Sequence, residues 1–200
     1  MLLIAHRINQ SEELAKLDGT YGVEVDLRDY NGRIVITHDP FCDGEDFRDW
    51  LNRFRHKTLI LNIKCERIEW QVLQELKSRG IEDFFFLDCS FPMVHALAEK
   101  KENRIALRLS EWEGIDTIVN MKHRIQWVWI DCFSRLILDS KLHHKIMDLG
   151  LKTCLVSPEL QGRAQDIVIY RDYLKNQKIC PDAICTKKEN FGLWQELLQI

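Results

Sequence analysis

The amino-acid sequence predicts an α/β fold, specifically a compact (β/α)8 TIM barrel with a short β-hairpin excursion after the second strand. Short β-rich runs alternate with amphipathic helical runs from end to end, in eight pairs. A helix between two strands returns the chain for a further parallel strand, and eight such units close a barrel. An open doubly wound sheet is the alternative, but no GxGxxG motif follows the first strand to favour it.

The predicted elements carry local start and stop signals. The strands are predicted at residues 2–6, 22–28, 58–64, 83–88, 104–109, 126–131, 151–157 and 182–186. The helices are predicted at residues 11–18, 45–56, 66–79, 91–100, 114–122, 136–148, 161–175 and 190–199. Ser11 and Ser90 precede helical runs as N-terminal caps, while Gly80 and Gly150 follow them as C-terminal caps.

The dipeptide Asn31-Gly32 is a strong hairpin signal, and the strand-like run RIVIT follows it at residues 33–37. It predicts that the chain folds back on the second strand before the barrel continues. The sequence contains no linker or low-complexity tract. We therefore expect one barrel domain over residues 1–200.

The bulk composition excludes several classes of protein. A net charge of −3 gives no electrostatic reason to expect nucleic acid as a partner. No run approaches the ~20 apolar residues that span a bilayer, and no signal peptide begins the chain, so we expect no transmembrane segment and a cytoplasmic location. The seven cysteines include no CxxC pair, which argues against a disulfide framework or a zinc site. The sequence makes no prediction about oligomeric state.

Charged and imidazole side chains stand where predicted strands end. His6-Arg7 follows the first strand, Glu24 and Asp26 lie two apart near the end of the second, and His38 follows the hairpin run. The carboxyl ends of barrel strands meet at the face that carries the active site. The sequence therefore predicts that these groups gather at one rim.

These residue types indicate a metal-assisted reaction at phosphorus. Glu24 and Asp26 can face a hard divalent cation such as Mg²⁺ or Ca²⁺, which prefers oxygen ligands. His6 and His38 can act as general base and general acid, because the ordinary pKa of imidazole is close to neutral pH. Arg7 and Lys64 can contact phosphate oxygens. A small-molecule phosphodiester is the substrate that fits this set.

Each motif alone has a simpler interpretation. An E-x-D pair can be a solvated strand end, His6-Arg7 a core histidine with a salt-bridge residue, and His38-Asp39-Pro40 a turn that ends the hairpin. The three motifs together, in this order and each at the end of an element, favour the catalytic interpretation.

The sequence resembles the glycerophosphodiester phosphodiesterase family, within the phosphatidylinositol-phospholipase-C-like superfamily. The matching stretches are IAHR at 4–7, GVEVDLRDYNGRIVITHDP at 22–40 and LNIK at 61–64, with weaker matches CSF at 89–91 and DAICT at 182–186. The resemblance implies an (α/β) barrel that cleaves phosphodiesters with a divalent metal. It implies that Glu24 and Asp26 bind the metal, that His6 and His38 form the acid/base pair, and that Arg7 and Lys64 contact phosphate.

Two departures from the family pattern affect the expected metal site. Asn62 stands where the family usually has an acidic ligand, so an amide oxygen is the third ligand predicted, with less charge. Asn9 stands near a position where the family usually has an acidic residue. Asn9, Glu66 and Glu159 are alternative oxygen donors.

Four further residues near strand ends are candidate substrate contacts. They are Trp129, Asp131, Ser157 and Glu159. Trp129 can wall a pocket for a head group, or it can fill the barrel interior. The segment that contains Ser157 and Glu159 follows the seventh strand, where barrels of this fold often bind phosphate.

The sequence therefore predicts a metal-dependent phosphodiesterase of lipid metabolism. If the substrate carries a hydroxyl next to the phosphate, that hydroxyl attacks first and forms a cyclic phosphate; otherwise water attacks directly. Two alternatives stay open. One is a catalytically impaired barrel that binds a phosphorylated ligand, and the other is a barrel enzyme in which Lys64 forms a Schiff base.

Overall fold

The computed structural model describes residues 1–199. The strands are β1 Leu2–Ala5, β2 Gly22–Tyr30, β3 Arg33–Ile36, β4 Glu45–Asp46, β5 Leu59–Ile63, β6 Phe84–Leu87, β7 Ala106–Leu109, β8 Trp127–Ile130, β9 Lys152–Val156 and β10 Ala183–Thr186. The α-helices are α1 Ser11–Leu14, α2 Phe47–Leu51, α3 Glu69–Ser78, α4 Phe91–Glu99, α5 Asp116–Met121, α6 Ser140–Asp148, α7 Ile167–Asn176 and α8 Phe191–Gln195. Short 3₁₀ turns lie at Pro158–Gln161, Ala164–Asp166, Lys188–Asn190 and Glu196–Gln199.

All eight predicted barrel strands are present, and so is the predicted hairpin strand β3. The structure adds β4, a two-residue strand that the sequence pattern does not reveal because it is too short to alternate. Several helices are shorter than predicted, most clearly α1 and α2. Gly80 and Gly150 have φ of +64° and +74° just after α3 and α6, which confirms their predicted role as helix stops.

The chain divides into two compact units, each of which contains five of the ten strands. The first, here called the hairpin unit, comprises residues 6–102. Its strand order is β4-β3-β2-β5-β6. The pairs β2–β5 and β5–β6 are parallel, whereas β3 is antiparallel to β2. Asn31 and Gly32, with φ of +49° and +78°, form the turn between β2 and β3 as predicted.

The second unit, here called the all-parallel unit, comprises residues 1–5 and 103 onward. Its strand order is β1-β10-β9-β8-β7, and every neighbouring pair is parallel. The helices α5 to α8 alternate with these strands. A single domain over residues 1–200 stays a prediction.

The core of the hairpin unit is apolar, but it contains two buried carboxylates. All five residues of β5 and all four of β6 are buried, as expected for parallel strands covered on both faces. Within this apolar surround, Glu24 and Asp26 are 0% and 1% exposed. Burial of two neighbouring carboxylates is costly unless they are paired or bind a cation.

Among residues 1–199 no helix is long and apolar enough to cross a bilayer.

Candidate active site

The centre of the candidate site is a pair of carboxylates on β2 beside an amide on β5. Glu24 and Asp26 lie two residues apart and so share one face of β2. The parallel register pairs Asp26 with Asn62 on β5. The Nδ2 of Asn62 donates a hydrogen bond of 2.8 Å to Oε1 of Glu24. The structure thus brings the three predicted metal ligands into one buried group.

The second oxygen of Glu24 faces the segment after β1. Oε2 accepts a hydrogen bond of 2.6 Å from the backbone N–H of Arg7 and lies 3.9 Å from Nε2 of His6. Arg7 has φ of +56°, a left-handed conformation that is uncommon for a residue with a side chain. Burial, and then the neighbouring Asp26 carboxylate, raise the pKa of Glu24 to about 7. A cation at this position would lower that pKa again.

One carboxylate oxygen of Asp26 contacts both a cation and an amide. Its Oδ2 lies 3.3 Å from Nε of Arg7 and accepts a hydrogen bond of 2.9 Å from Nδ2 of Asn9. The Oδ1 of Asn9 accepts a bond of 3.1 Å from the backbone N–H of Asp26. The amide of Asn9 therefore supports Asp26 on two sides, and its oxygen already has a donor.

Two buried oxygens in this group have no hydrogen-bond partner: Oδ1 of Asp26 and Oδ1 of Asn62. Buried polar atoms are nearly always paired, so two such atoms on neighbouring strands require an explanation. Carboxylate and amide oxygens are ligands that Mg²⁺ and Ca²⁺ accept. The residues present therefore fit a divalent cation. In the described part of the chain, no group of three or more His, Cys, Asp and Glu side chains could hold a metal ion.

His38 stands in the loop after β3, and its side chain is 45% exposed. Its Nδ1 lies 2.8 Å from Oδ1 of Asp39. The hydrogen bond with His38 is the main cause that lowers the pKa of Asp39; the guanidinium groups of Arg7 and Arg28 contribute less. The residue before His38 is tied to the carboxylate strand, because Thr37 N donates to the backbone oxygen of Asp26 at 3.0 Å.

Lys64, just after β5, lies between two carboxylates. Its Nζ is 3.6 Å from Oδ1 of Asp26 and 3.6 Å from Oδ2 of Asp88. Asp88 follows β6 with φ of +58°. A cleft of about 200 Å³ lies beside this pair, lined by Ile63, Lys64, Cys65, Glu66, Asp88 and Ser90. The pairing of Lys64 with Asp88 is a contact that the sequence analysis missed, and its only signal was the position of Asp88 at a strand end.

The four candidate substrate contacts lie in the all-parallel unit, where they are 0–8% exposed. Asp131 pairs with Arg108 and accepts hydrogen bonds from Gln161 and from Cys132 N, and burial raises its pKa. Trp129 is 5% exposed.

The Oε2 of Glu159 accepts from the Ser157 hydroxyl, and its Oε1 accepts from the Thr186 hydroxyl and from Lys187 N. Both Glu159 oxygens therefore already accept hydrogen bonds from groups within the all-parallel unit. Glu66, another alternative oxygen donor, is an exposed residue of the hairpin unit.

Comparison with known proteins gives a clear result at the level of structure. No protein-family model and no curated protein sequence matches the chain. A glycerophosphodiester phosphodiesterase from Agrobacterium tumefaciens str. C58 superposes with a TM-score of 0.68 at 14% identity, covering 100% of both chains. A second structure from that organism, described as a putative glycerophosphoryl diester phosphodiesterase, gives 0.71 at 13% identity over 100% of this chain and 99% of that one.

A glycerophosphoryl diester phosphodiesterase from Parabacteroides distasonis ATCC 8503 gives a TM-score of 0.62 at 13% identity, covering 99% of this chain and 86% of that chain. Identities this low establish the fold alone. They confirm the α/β barrel class predicted from the eight strand–helix pairs. The chain has, over its whole length, the fold of solved glycerophosphodiester phosphodiesterase structures.

Proposed function

We propose that this protein is a metal-dependent phosphodiesterase that hydrolyses a small, glycerophosphodiester-like substrate. The observation that carries the proposal is the buried group of Glu24, Asp26 and Asn62, in which two oxygens lack a hydrogen-bond partner. The group is flanked by His6, Arg7 and Lys64. The likeness in fold to solved phosphodiesterases supports the same reaction class.

Glu24, Asp26 and Asn62 would hold the cation, Mg²⁺ or Ca²⁺. When bound, such an ion neutralises charge on a phosphoryl oxygen and lowers the pKa of an attacking hydroxyl. The guanidinium of Arg7, which is 45% exposed and already beside Asp26, binds a second phosphate oxygen. The ammonium of Lys64 adds a point charge on the other side of Asp26.

The two histidines move the protons. The pairing of Nδ1 of His38 with Asp39 leaves Nε2 of His38 to exchange a proton with the substrate. Nε2 of His6 lies 3.9 Å from Oε2 of Glu24, at the edge of the proposed cation site. One histidine takes the proton of the attacking hydroxyl, and the other protonates the leaving oxygen. A hydroxyl adjacent to the phosphate would attack first and give a cyclic phosphate.

A catalytically impaired barrel that binds a phosphorylated ligand is the second candidate. Asn62 favours it, because an amide supplies no negative charge where a carboxylate would strengthen cation binding. The raised pKa of Glu24 acts in the same direction, since a neutral carboxyl is a weaker ligand. His6 and His38 argue for catalysis, because a binding site needs no acid/base pair.

Hydrolysis assays on two substrates distinguish the candidates. Bis(p-nitrophenyl) phosphate and glycerophosphocholine are incubated with the protein in EDTA, Mg²⁺, Ca²⁺ or Mn²⁺, beside His6→Ala and Glu24→Ala variants. An enzyme shows turnover that a metal restores and that both variants lose. A folded protein that binds inorganic phosphate or glycerol phosphate without turnover in any metal would be the binding module.

A further inference from the structure

We propose that Arg28 is a positioning residue that fixes the segments bearing His38 and Lys64 relative to each other; the proposal rests on the function proposed above. Nε of Arg28 donates a hydrogen bond of 3.0 Å to the backbone oxygen of His38. Nη1 of the same guanidinium donates one of 2.8 Å to the backbone oxygen of Lys64. A single side chain thus binds the main chain at both residues.

The sheet itself stops short of these two carbonyls. On the β5 side, Lys64 N donates a hydrogen bond of 2.9 Å to Leu27 O. The next amide of β2 that faces this segment is Asp29 N. It donates to the sulfur of Cys65 at 3.1 Å, and so it does not bind the Lys64 carbonyl. The backbone ladder between β2 and β5 therefore ends at Lys64, and a side chain must supply the donor for the next carbonyl.

On the hairpin side, β3 ends at Ile36, and the backbone hydrogen bond that precedes the loop runs from Thr37 N to Asp26 O. His38 and the five residues after it are exposed. The far end of the loop is fixed at Gly44, where a Cβ atom would lie 2.3 Å from Ile36 O. Arg28 is the side chain that binds the loop at its catalytic residue.

Arginine suits this task because its donors lie in a rigid plane. Nε and Nη1 are held at a fixed separation and angle, so they fix the distance between the two acceptors. A lysine keeps the charge but has one flexible donor group. A misplacement of about 1 Å in a reacting group can cost about 100-fold in rate, so the clamp has a kinetic consequence even though Arg28 donates to main-chain atoms only.

The test compares Arg28→Gln and Arg28→Lys with Arg79→Gln. Arg79 is a matched control, since it also donates from Nε and Nη1, to Asn52 and Glu75, on helical segments of the same unit. We expect kcat of both Arg28 variants to fall about 10- to 100-fold with KM within about threefold, and Arg79→Gln to stay within about twofold of wild type. Guanidinium ion at millimolar concentration should restore part of the activity of Arg28→Ala.

A kcat for Arg28→Gln within about twofold of wild type would overturn the proposal. The proposal would also be overturned if the activity lost in the Arg28 variants equalled the fraction of protein that is unfolded. Amide hydrogen exchange supplies a readout independent of turnover. The clamp predicts faster exchange in residues 37–44 and 64–66 together in Arg28→Gln but not in Arg79→Gln, and unchanged exchange in both segments would contradict it. If the wild type shows no turnover with any metal, the proposed function fails while exchange still decides the clamp.

Discussion

Two buried acidic groups, one in each unit, differ in whether the protein satisfies them. In the all-parallel unit both oxygens of Glu159 accept hydrogen bonds, and the Ser157 hydroxyl that donates to one of them accepts from the Trp194 indole at 2.8 Å. In the hairpin unit one oxygen each of Asp26 and Asn62 accepts no hydrogen bond. Satisfied networks rigidify a fold, whereas unsatisfied ones mark strain or a missing ligand.

The comparison gives the two groups different tasks. The Glu159 network ties the ends of β9 and β10 to α8 through side chains that are almost fully buried. Burying the adjacent carboxylates of Glu24 and Asp26 destabilises the fold, and a purely structural role would not require this arrangement. We therefore expect substitutions in the first group to alter stability and substitutions around the second to alter metal binding and turnover.

The largest effect is expected from the histidines. His6→Ala and His38→Ala each should lower kcat by about 10²- to 10⁴-fold, because each removes a proton-transfer group. His95→Ala is the matched control, since His95 lies on α4 and pairs only loosely with Glu99 at 4.0 Å. Steady-state kinetics with saturating metal measure the change. Equal activity of all three variants would remove the acid/base assignment.

The pH dependence of stability is the next test. Glu24 has a pKa of about 7 in the fold against 4.5 ordinarily. Between these values the folded state keeps a proton that the unfolded chain has lost, so stability present below pH 4.5 is lost as the pH rises through 7. Urea unfolding in EDTA should show wild type losing on the order of 3 kcal/mol more than Glu24→Gln between pH 4.5 and pH 8. Parallel pH curves for the two proteins would contradict this.

The matched substitution Glu159→Gln tests the satisfied network. An amide nitrogen in place of one acceptor oxygen leaves a buried donor facing donors, which should lower the free energy of unfolding by about 1–3 kcal/mol. Urea denaturation at neutral pH in EDTA, beside Asp26→Asn, measures the difference, because the new amide nitrogen can take the place of Asp26 Oδ1, which accepts no hydrogen bond. The comparison would be wrong if Asp26→Asn destabilised the metal-free protein more than Glu159→Gln did.

The smallest effect is expected from Asn62→Asp, which tests whether Asn62 is a metal ligand. A carboxylate at this position adds charge to the ligand set and removes the amide that donates to Glu24. We expect Mn²⁺ to bind about tenfold more tightly, equivalent to about 1.4 kcal/mol. Isothermal titration calorimetry checks this, with the exposed Asn176→Asp as a charge-matched control. Unchanged affinity would show that Asn62 is not a ligand.

Much of the fold was predictable because strand periodicity and turn chemistry are local. All eight barrel strands, the Asn31-Gly32 turn and the placement of Glu24, Asp26 and Asn62 on neighbouring strands follow from residue type and spacing. The two-residue strand β4 was not predictable, because pairing with β3 defines it and it has no pattern of its own.

The side-chain contacts of the site were less predictable, since loop conformation decides them. Arg7 and Asp88 leave their strands with positive φ, which redirects the side chains that follow. Asn9, taken as a possible oxygen donor, turned out to support Asp26. The contacts of Arg28 reach residues 10 and 36 positions away. No spacing rule connects positions so far apart in the chain.

The central claim is that the unsatisfied oxygens of Asp26 and Asn62 help to hold a cation that enables phosphodiester hydrolysis. The most direct test is turnover of glycerophosphocholine by protein stripped with EDTA, followed by titration with Mg²⁺ or Ca²⁺. The account predicts no turnover in EDTA, saturable recovery with metal, and no recovery in Glu24→Ala. Turnover that persists unchanged in EDTA, or recovers equally in Glu24→Ala, would contradict it.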